Sequence, residues 1–469
     1  MKLAILFSSL VVLAAPDGGS APDPVDRYVR AFVERHRIPS AAIAIVRNER
    51  VVKVAGYGLA SLELNAPAGP RTVYEIGSIT KQFTAEALLM LVGEGKVELE
   101  APIARYLPNL PAAWQTLTVH QLLTHTSGLP DWESLGLLDF HREYTPSEFI
   151  QLIGKRPLDF APGEQWSYTN SAFPLLGMVI EAVTGKPYEQ VIVERVLTPA
   201  GMTESRFRHS SEVVPNRAAG YSDSSGVFLN GEPLRPRLLA PNGGILSTAG
   251  DMAKWDIALT RGILVPAATF EQMAAPVKLK GGGRFNAGMA WFVDTFRGHR
   301  FVFHNGSTAA GFSSVIYRYP EDGLFVVVLM NIDRGGLVNQ LATGIAGLVL
   351  PGLSISGLRE RPDPDPSMSQ RLLAMLAAVA DNRDSDLLAP SLRNPPGPPR
   401  TSPSSGFNGA LDRFAFLERE DHGPQGVERF GLRVRWTYRY KLVSGRRVLY
   451  YTFELTADGK VARFGPEED

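Results

Sequence analysis

The chain has 469 residues, 48 lysines and arginines against 48 aspartates and glutamates, and no cysteine. Such a length suits roughly two or three domains with a sizeable core, and zero net charge offers no electrostatic footprint for nucleic acid or an anionic membrane surface. The missing thiols exclude a disulfide framework, a thiolate nucleophile, a zinc–thiolate site and a lipidated N-terminal cysteine, and the eight scattered histidines lack metal-ligand spacing, so neither metal nor cofactor is expected.

Residues 1–21 read as a secretory signal. Lys2 precedes short apolar runs at 3–7 and 10–15, with small residues for cleavage between Ala14 and Ala21. The run is too short to span a bilayer, and later apolar stretches are only strand-length. The mature protein is therefore expected to be exported, periplasmic or secreted, without a stable membrane span.

From 24 to 37, Val25, Tyr28, Val29, Phe32 and Val33 recur at helical period. Residues 41–46 and 51–57 are β-rich runs around the polar turn 47–50, which reads as a hairpin. The next stretch, Tyr74 to Thr84, carries the chemistry. A glycine at 77 precedes Ser78, and Lys81 follows three residues later on the same helical face. A serine hydroxyl needs a neighbouring base, and lysine serves as one only where burial or nearby cations favour its neutral form. The apolar residues that follow, Phe83 and Ala85 to Leu91, supply that environment.

The middle of the chain, from 83 to about 245, is mainly helical by period. Strands return at 288–293, 300–304, 313–319 and 324–331, and a helix at 337–348 follows. Strands at both ends of the region flank a helical middle, which predicts one discontinuous antiparallel sheet packed on helices with a helical insertion. The expected division is 1–21 signal, 22–355 main domain, 356–368 a stiff Pro- and charge-rich linker, and 369–469 a small α+β domain. Within the last, a helix at 368–380 and a Pro/Ser-rich loop at 394–405 lead to strands at 414–419, 432–442, 448–455 and 461–464.

Three ordered elements, Ser78-Ile79-Thr80-Lys81, Tyr168-Thr169-Asn170 and His304-Asn305-Gly306, together resemble the serine β-lactamase and penicillin-binding-protein superfamily. The class C β-lactamases and related D-Ala-D-Ala carboxypeptidases, D-aminopeptidases and esterases look most alike. Supporting stretches are Leu122 to Leu129, Asn242 to Thr248, and Gly311-Phe312. The resemblance implies a serine hydrolase with Ser78 as acyl-enzyme nucleophile. Lys81 and Tyr168 would share proton transfer, either as neutral Lys81 or as a Tyr168 phenolate whose pKa the lysine lowers. Asn170 would hold Lys81 and a substrate amide. The edge strand at His304 would pair with an extended substrate, Gly306 would let it approach the backbone, and the N–H groups of Ser78 and Ser307 would form the oxyanion hole.

The chain departs from true β-lactamases at that strand, where the family's Lys-[Ser/Thr]-Gly is replaced by His304-Asn305-Gly306. Histidine is cationic only below about pH 6.5, which favours esters, amides or D-aminoacyl peptides over β-lactams and free carboxylates. His125 is expected to cap a helix end that turns through Gly128, Trp291-Phe292 are expected in the core, and the sequence does not decide whether Asp131 and Trp132 reach the cleft rim. The rival reading is a catalytically silent relative that binds peptidoglycan fragments or a protein partner.

Overall fold

The structure is a computed structural model that describes residues 23–467 apart from 210, 233–236, 382, 394–410, 430–431 and 446. The expected signal at 1–21 and the Pro/Ser-rich loop lie outside the described residues.

Helix α1 (Pro24–Arg35) starts under an Asp23 cap, with Pro24 at its first position, and buries Val25, Val29, Phe32 and Val33. Strands β1 (Ser40–Arg47) and β2 (Arg50–Ser61) form the expected hairpin. Asn48 and Glu49 turn it with positive φ angles of 49° and 61°, as a two-residue turn matched to strand twist requires. The remaining sheet strands come about 230 residues later by sequence position: β3 (Phe292–Phe296), β4 (His299–Thr308), β5 (Phe312–Tyr319) and β6 (Leu324–Met330). They pair antiparallel in the order β3-β4-β5-β6-β1-β2, and Ala66–Pro67 adds a seventh strand at the β2 edge. The predicted discontinuous sheet is thus formed, closed by β1 against β6.

The central strands are buried on both faces. Ala42, Ala44 and Val46 of β1 join a core shared with the helical middle, whereas Ala41, Ile43 and Ile45 join a second core under α1 and α6 (Gly335–Val349). That two-sided burial explains why β1 and β6 read as nearly unbroken apolar runs.

The helical middle contributes α2 (Thr80–Gly93), α3 (Val119–Leu123), α4 (Ala172–Thr184) and α5 (Ala249–Thr260). It also holds short strands that the helical reading missed. Tyr221–Ser224 and Val227–Asn230 form a hairpin turned by Ser225 and Gly226, both with positive φ. The strand expected at 288–293 begins only at Phe292. Ala290 sits at φ 62°, and a Cβ on Gly288 would fall 1.9 Å from the Met273 carbonyl oxygen, so this segment is bent and pressed onto its neighbour.

Beyond residue 355 the chain builds a separate apolar cluster. Helix α7 (Pro366–Ala380), capped by Asp365, lays Leu372, Met375 and Leu376 on Tyr440, Phe453 and Leu455. The sheet beneath it is an antiparallel meander of β7 (Arg413–Asp421), β8 (Trp436–Ser444), β9 (Arg447–Leu455) and β10 (Val461–Glu467). The run expected as one strand at 432–442 is two, Leu432–Val434 and β8, because the first pairs back on Val427–Arg429. The opposite sheet face, with Arg439, Thr452 and Glu454, turns towards β3–β5. Arg429 crosses over to donate to the Thr295 carbonyl and to pair with Asp294.

Candidate active site

The approach to Ser78 is fixed by a short strand. Tyr74–Glu75 pairs with Ile245–Ser247, which pairs in turn with Arg206–Phe207. Glu75 is fully buried and takes Arg208 at 2.7 Å and Arg217 at 3.2 Å, so the strand enters the core with its charge answered. The chain then makes a 3₁₀ turn, Gly77–Ile79, before α2 begins. Within the run from Thr72 to Thr80, Ser78 alone is partly exposed. Helix α2 is buried on every side, with Phe83 stacked 4.2 Å from Trp255.

Lys81 is wholly buried. Its Nζ lies 2.9 Å from Ser78 Oγ, 2.9 Å from Asn170 Oδ1 and 3.0 Å from the Asn242 carbonyl. Asn170 is oriented by donating through Nδ2 to Glu133 at 2.6 Å, and its backbone N–H donates to Asp131 at 2.7 Å. Two of the three lysine partners are carbonyl oxygens, which only accept; the third is a hydroxyl, which can also donate. A neutral amine satisfies all three by giving its two protons to the carbonyls and its lone pair to the Ser78 O–H. Burial holds the Lys81 amine at a pKa of about 7, with Glu133 and Asp131 opposing the fall.

Tyr168 moves the other way. Burial pushes its phenol well above the usual range, Glu133 and Asp131 add to the rise, and the Ser78 hydroxyl offsets part of it. Its hydroxyl is buried and has no partner in hydrogen-bonding geometry among the described residues. The expected lowering of the tyrosine pKa by lysine is therefore reversed. A half-neutral lysine, its ammonium nitrogen 5.0 Å from the ring centre, cannot outweigh desolvation and two carboxylates.

His125 holds this tyrosine in place. It adopts φ 58° just past α3, accepts the Thr169 N–H at Nδ1 (3.2 Å), and stacks its ring 4.4 Å from Tyr168. The helix thus turns at His125 as well as at Gly128, and the imidazole does more than cap. Burial lowers its pKa well below the ordinary value, so the ring is neutral.

On the far side, β4 passes the nucleophile turn. Strand β3 covers β4 only as far as Phe303, which leaves the edge from His304 to Thr308 without a strand partner on that side among the described residues. Gly306 has a different use from the one expected. A Cβ there would stand 2.1 Å from the Ile76 carbonyl oxygen and 2.4 Å from Ser314 Oγ, so the glycine admits the nucleophile turn rather than a substrate. Gly77, at φ 51°, completes that close approach, since its Cβ would lie 2.9 Å from the Ser307 nitrogen. The Ser78 and Ser307 backbones are brought together by two glycines. Ser307 Oγ donates to Asp333 at 2.7 Å.

His304 is buried, with Nδ1 2.6 Å from the Asn305 carbonyl, and burial together with Lys81 lowers its pKa to about 3. It is neutral at any working pH. Trp291 is core, as expected, but Phe292 turns to the site, 5.3 Å from His304 and 5.9 Å from Trp166, which stacks on Phe285 at 3.9 Å.

Residues 25–349 match the Beta-lactamase family. The chain belongs to that family. It is 31% identical over 313 residues to "Putative penicillin-binding protein PbpX" of Bacillus subtilis (strain 168), covering 66% of this chain and 75% of that one. To "Protein flp" of Staphylococcus aureus (strain N315) it is 28% identical over 319 residues, covering 66% of this chain and 63% of the relative. Among solved structures, a penicillin-binding protein from Bacillus halodurans matches with TM-score 0.60 and 27% identity, over 68% of this chain and 98% of that one. Two others are alike in fold. The octameric penicillin-binding protein homologue from Pyrococcus abyssi has TM-score 0.60 and 24% identity, covering 92% of this chain and 96% of its own. A D-stereospecific amidohydrolase from Streptomyces sp. has TM-score 0.57 and 24% identity, covering 68% and 97%.

In this Beta-lactamase-family chain, Lys81, Tyr168, Asn170, His304, Gly306 and Ser307 cluster around Ser78. Sequence reading missed Glu133, which orients Asn170, and Asp333. It left the place of Asp131 undecided and named Asn242 only within a supporting stretch. Among the described residues no helix is long and apolar enough to cross a membrane, and no cluster of side chains has the make-up of a metal site.

Proposed function

We propose that the protein is an exported serine hydrolase, class C-like, that acts through a Ser78 acyl-enzyme on amides, esters or short peptides whose acyl part carries a free amine, as D-aminoacyl compounds do. The three-way contact of Lys81 carries the reading: a buried amine poised near neutrality, with its lone pair available to the Ser78 hydroxyl. Neutral Lys81 accepts the Ser78 proton as Oγ bonds to the carbonyl carbon. The oxyanion develops towards the N–H groups of Ser78 and Ser307. Tyr168 remains a phenol, so it passes a proton from the Lys81 ammonium to the leaving nitrogen or oxygen as that bond breaks. Water then adds to the acyl-enzyme with Lys81 again taking a proton, which returns to Ser78 as the ester bond breaks.

The electrostatics of the cleft support an amine-bearing substrate. The position that holds a lysine in β-lactamases is the neutral His304, while Glu133 and Asp333 stand near the reacting pair. Glu133 uses one oxygen on Asn170, and its other accepts no hydrogen bond among the described residues. An ammonium group finds a partner there and a carboxylate finds repulsion. The apolar leader at 1–15 supports export.

The test has two steps. Fluorophosphonate should add once to the wild type and not to Ser78→Ala, read by intact mass; absence of the adduct on folded wild type would favour the silent binding protein. D-alanyl p-nitroanilide should then be turned over at least about tenfold faster than its N-acetyl form, with Glu133→Gln erasing that preference.

A further inference from the structure

A second cavity, of about 230 Å³, lies between the outer face of β3–β5 and the polar face of the C-terminal meander. It is separate from the Ser78 cleft, sharing none of its residues. An engineered apolar cavity of about 150 Å³ is enough to bind benzene, so this one has room for a substituted ring.

Its two walls differ. One is aromatic: Phe301 packs against Tyr317 and Tyr319, with ring centres 5.5 Å and 5.4 Å away, and Phe296 carries the Arg439 guanidinium 4.8 Å above it. The other is polar and incompletely bonded. Arg439 is 1% exposed and Thr452 9%, yet Arg439 Nε and Gln340 Oε1 have no hydrogen-bond partner among the described residues, and the Thr452 hydroxyl, beside the Glu467 carboxyl, makes no well-formed hydrogen bond among them. Leaving such groups buried and unpaired is costly. Water could pair with them, but it would wet the aromatic wall opposite.

The ion pairs around the cavity are closed among its own residues, and Glu467, which also lines it, is pushed by burial towards its uncharged form, with Arg439 and Thr452 opposing the rise. Arg429 pairs with Asp294 and Glu454, and Arg439 with Glu418 and Glu420. Arg463 at the rim stands 4.0 Å from both Asp294 and Glu454. A charged ligand would bring an unpaired charge into a balanced site. Arg439 Nε–H can only donate, so it calls for an oxygen acceptor.

We propose that this cavity binds a small uncharged aromatic molecule carrying a carbonyl oxygen, with the ring on Phe301, Tyr317 and Tyr319 and the oxygen facing Arg439 and Thr452. An aryl amide is the simplest member of the class. The ligand would bridge the two halves of the chain, on the strand whose far end passes Ser78.

Benzamide titrated calorimetrically into the full chain tests this. The expected result is saturable binding with a Kd below about 1 mM, with benzoate and benzylamine at least about tenfold weaker. Thr452→Val should weaken benzamide about five- to tenfold, and Gln340→Leu serves if that variant melts early. Thr343→Trp, a substitution at the exposed rim of the cavity, should abolish binding while leaving the melting temperature unchanged. Heat that never saturates means the cavity holds water only, and overturns the proposal. Equal binding of benzoate or benzylamine overturns it, as does benzamide binding that survives Thr343→Trp.

Discussion

Lys81 and Arg429 are both buried basic side chains, and their pKa values are shifted in opposite directions. Among the described residues Lys81 hydrogen-bonds to neutral oxygens, with Glu133 and Asp131 acting from beyond contact, and burial brings its pKa down to about 7. Arg429 touches the carboxylates of Asp294 and Glu454, and these overcome its desolvation and raise its pKa. The difference lies in whether the counter-charge is in the first layer of contacts. One arrangement keeps a base ready to take a proton, and the other fastens two parts of the chain together.

The largest expected effect breaks the first arrangement. Lys81→Met should lower kcat/KM by about 10³- to 10⁴-fold on every substrate, with a stability cost of about 1–3 kcal/mol, because methionine fills the same buried space without a charge to desolvate but leaves Asn170 Oδ1 and the Asn242 carbonyl without a donor. Steady-state kinetics beside urea melts checks both halves. A variant retaining a tenth of the activity would remove Lys81 from the reaction. Next comes Arg429→Met, expected to cost about 3–5 kcal/mol of stability by stranding Asp294 and Glu454, with activity retained wherever the protein stays folded. Denaturant unfolding measures the first, and equal losses of activity and stability would contradict the division of roles. Gly306→Ala should fall between the two arrangements. Its Cβ meets backbone at 2.1 Å, so the nucleophile turn must move away from Ser307, and about 10²-fold in kcat should be lost with a smaller change in KM.

Much of this contrast was legible in the sequence, and some was not. Ser78 and Lys81 share a helical face, and the apolar run after them announces burial, so the environment of the lysine could be anticipated. The two-faced strands β1 and β6 were legible because unbroken apolar runs of that length have few other uses. Glu133 was not, since it reaches Asn170 from a loop 37 positions earlier, and no periodicity reports such a contact. Nor was the direction of the Tyr168 shift, which depends on two carboxylates and complete burial rather than on the lysine beside it. Gly306 could be read as a place of close approach, but whether substrate or chain approaches is decided by register, which the sequence leaves open. The pairing of Arg429 with Asp294 joins residues 135 positions apart across two sheets, and neither carries a local signal.

The smallest effect is also the one that separates the two candidate bases. With a neutral ester such as p-nitrophenyl butyrate, kcat/KM should rise with pH through about 7, where Lys81 loses its proton. Tyr168→Phe should lower the plateau and leave that limb in place, whereas a phenolate base would put the limb far higher and tie it to the tyrosine. Stability gives the same answer by another route. The Lys81 pKa is lower folded than unfolded, so between about pH 7 and pH 10 the unfolded chain binds a proton that the native state does not. The sign is then fixed: native stability rises with pH across that window, by on the order of 1 kcal/mol per unit for one proton, and is flat on this account below it. Lys81→Met lacks the group, so the stability of wild type minus that of the variant should climb from pH 7 upward, other titrations cancelling in the difference. A difference that stays flat would mean that Lys81 keeps its proton in the folded protein, and the buried amine would then belong with Arg429 rather than opposite it.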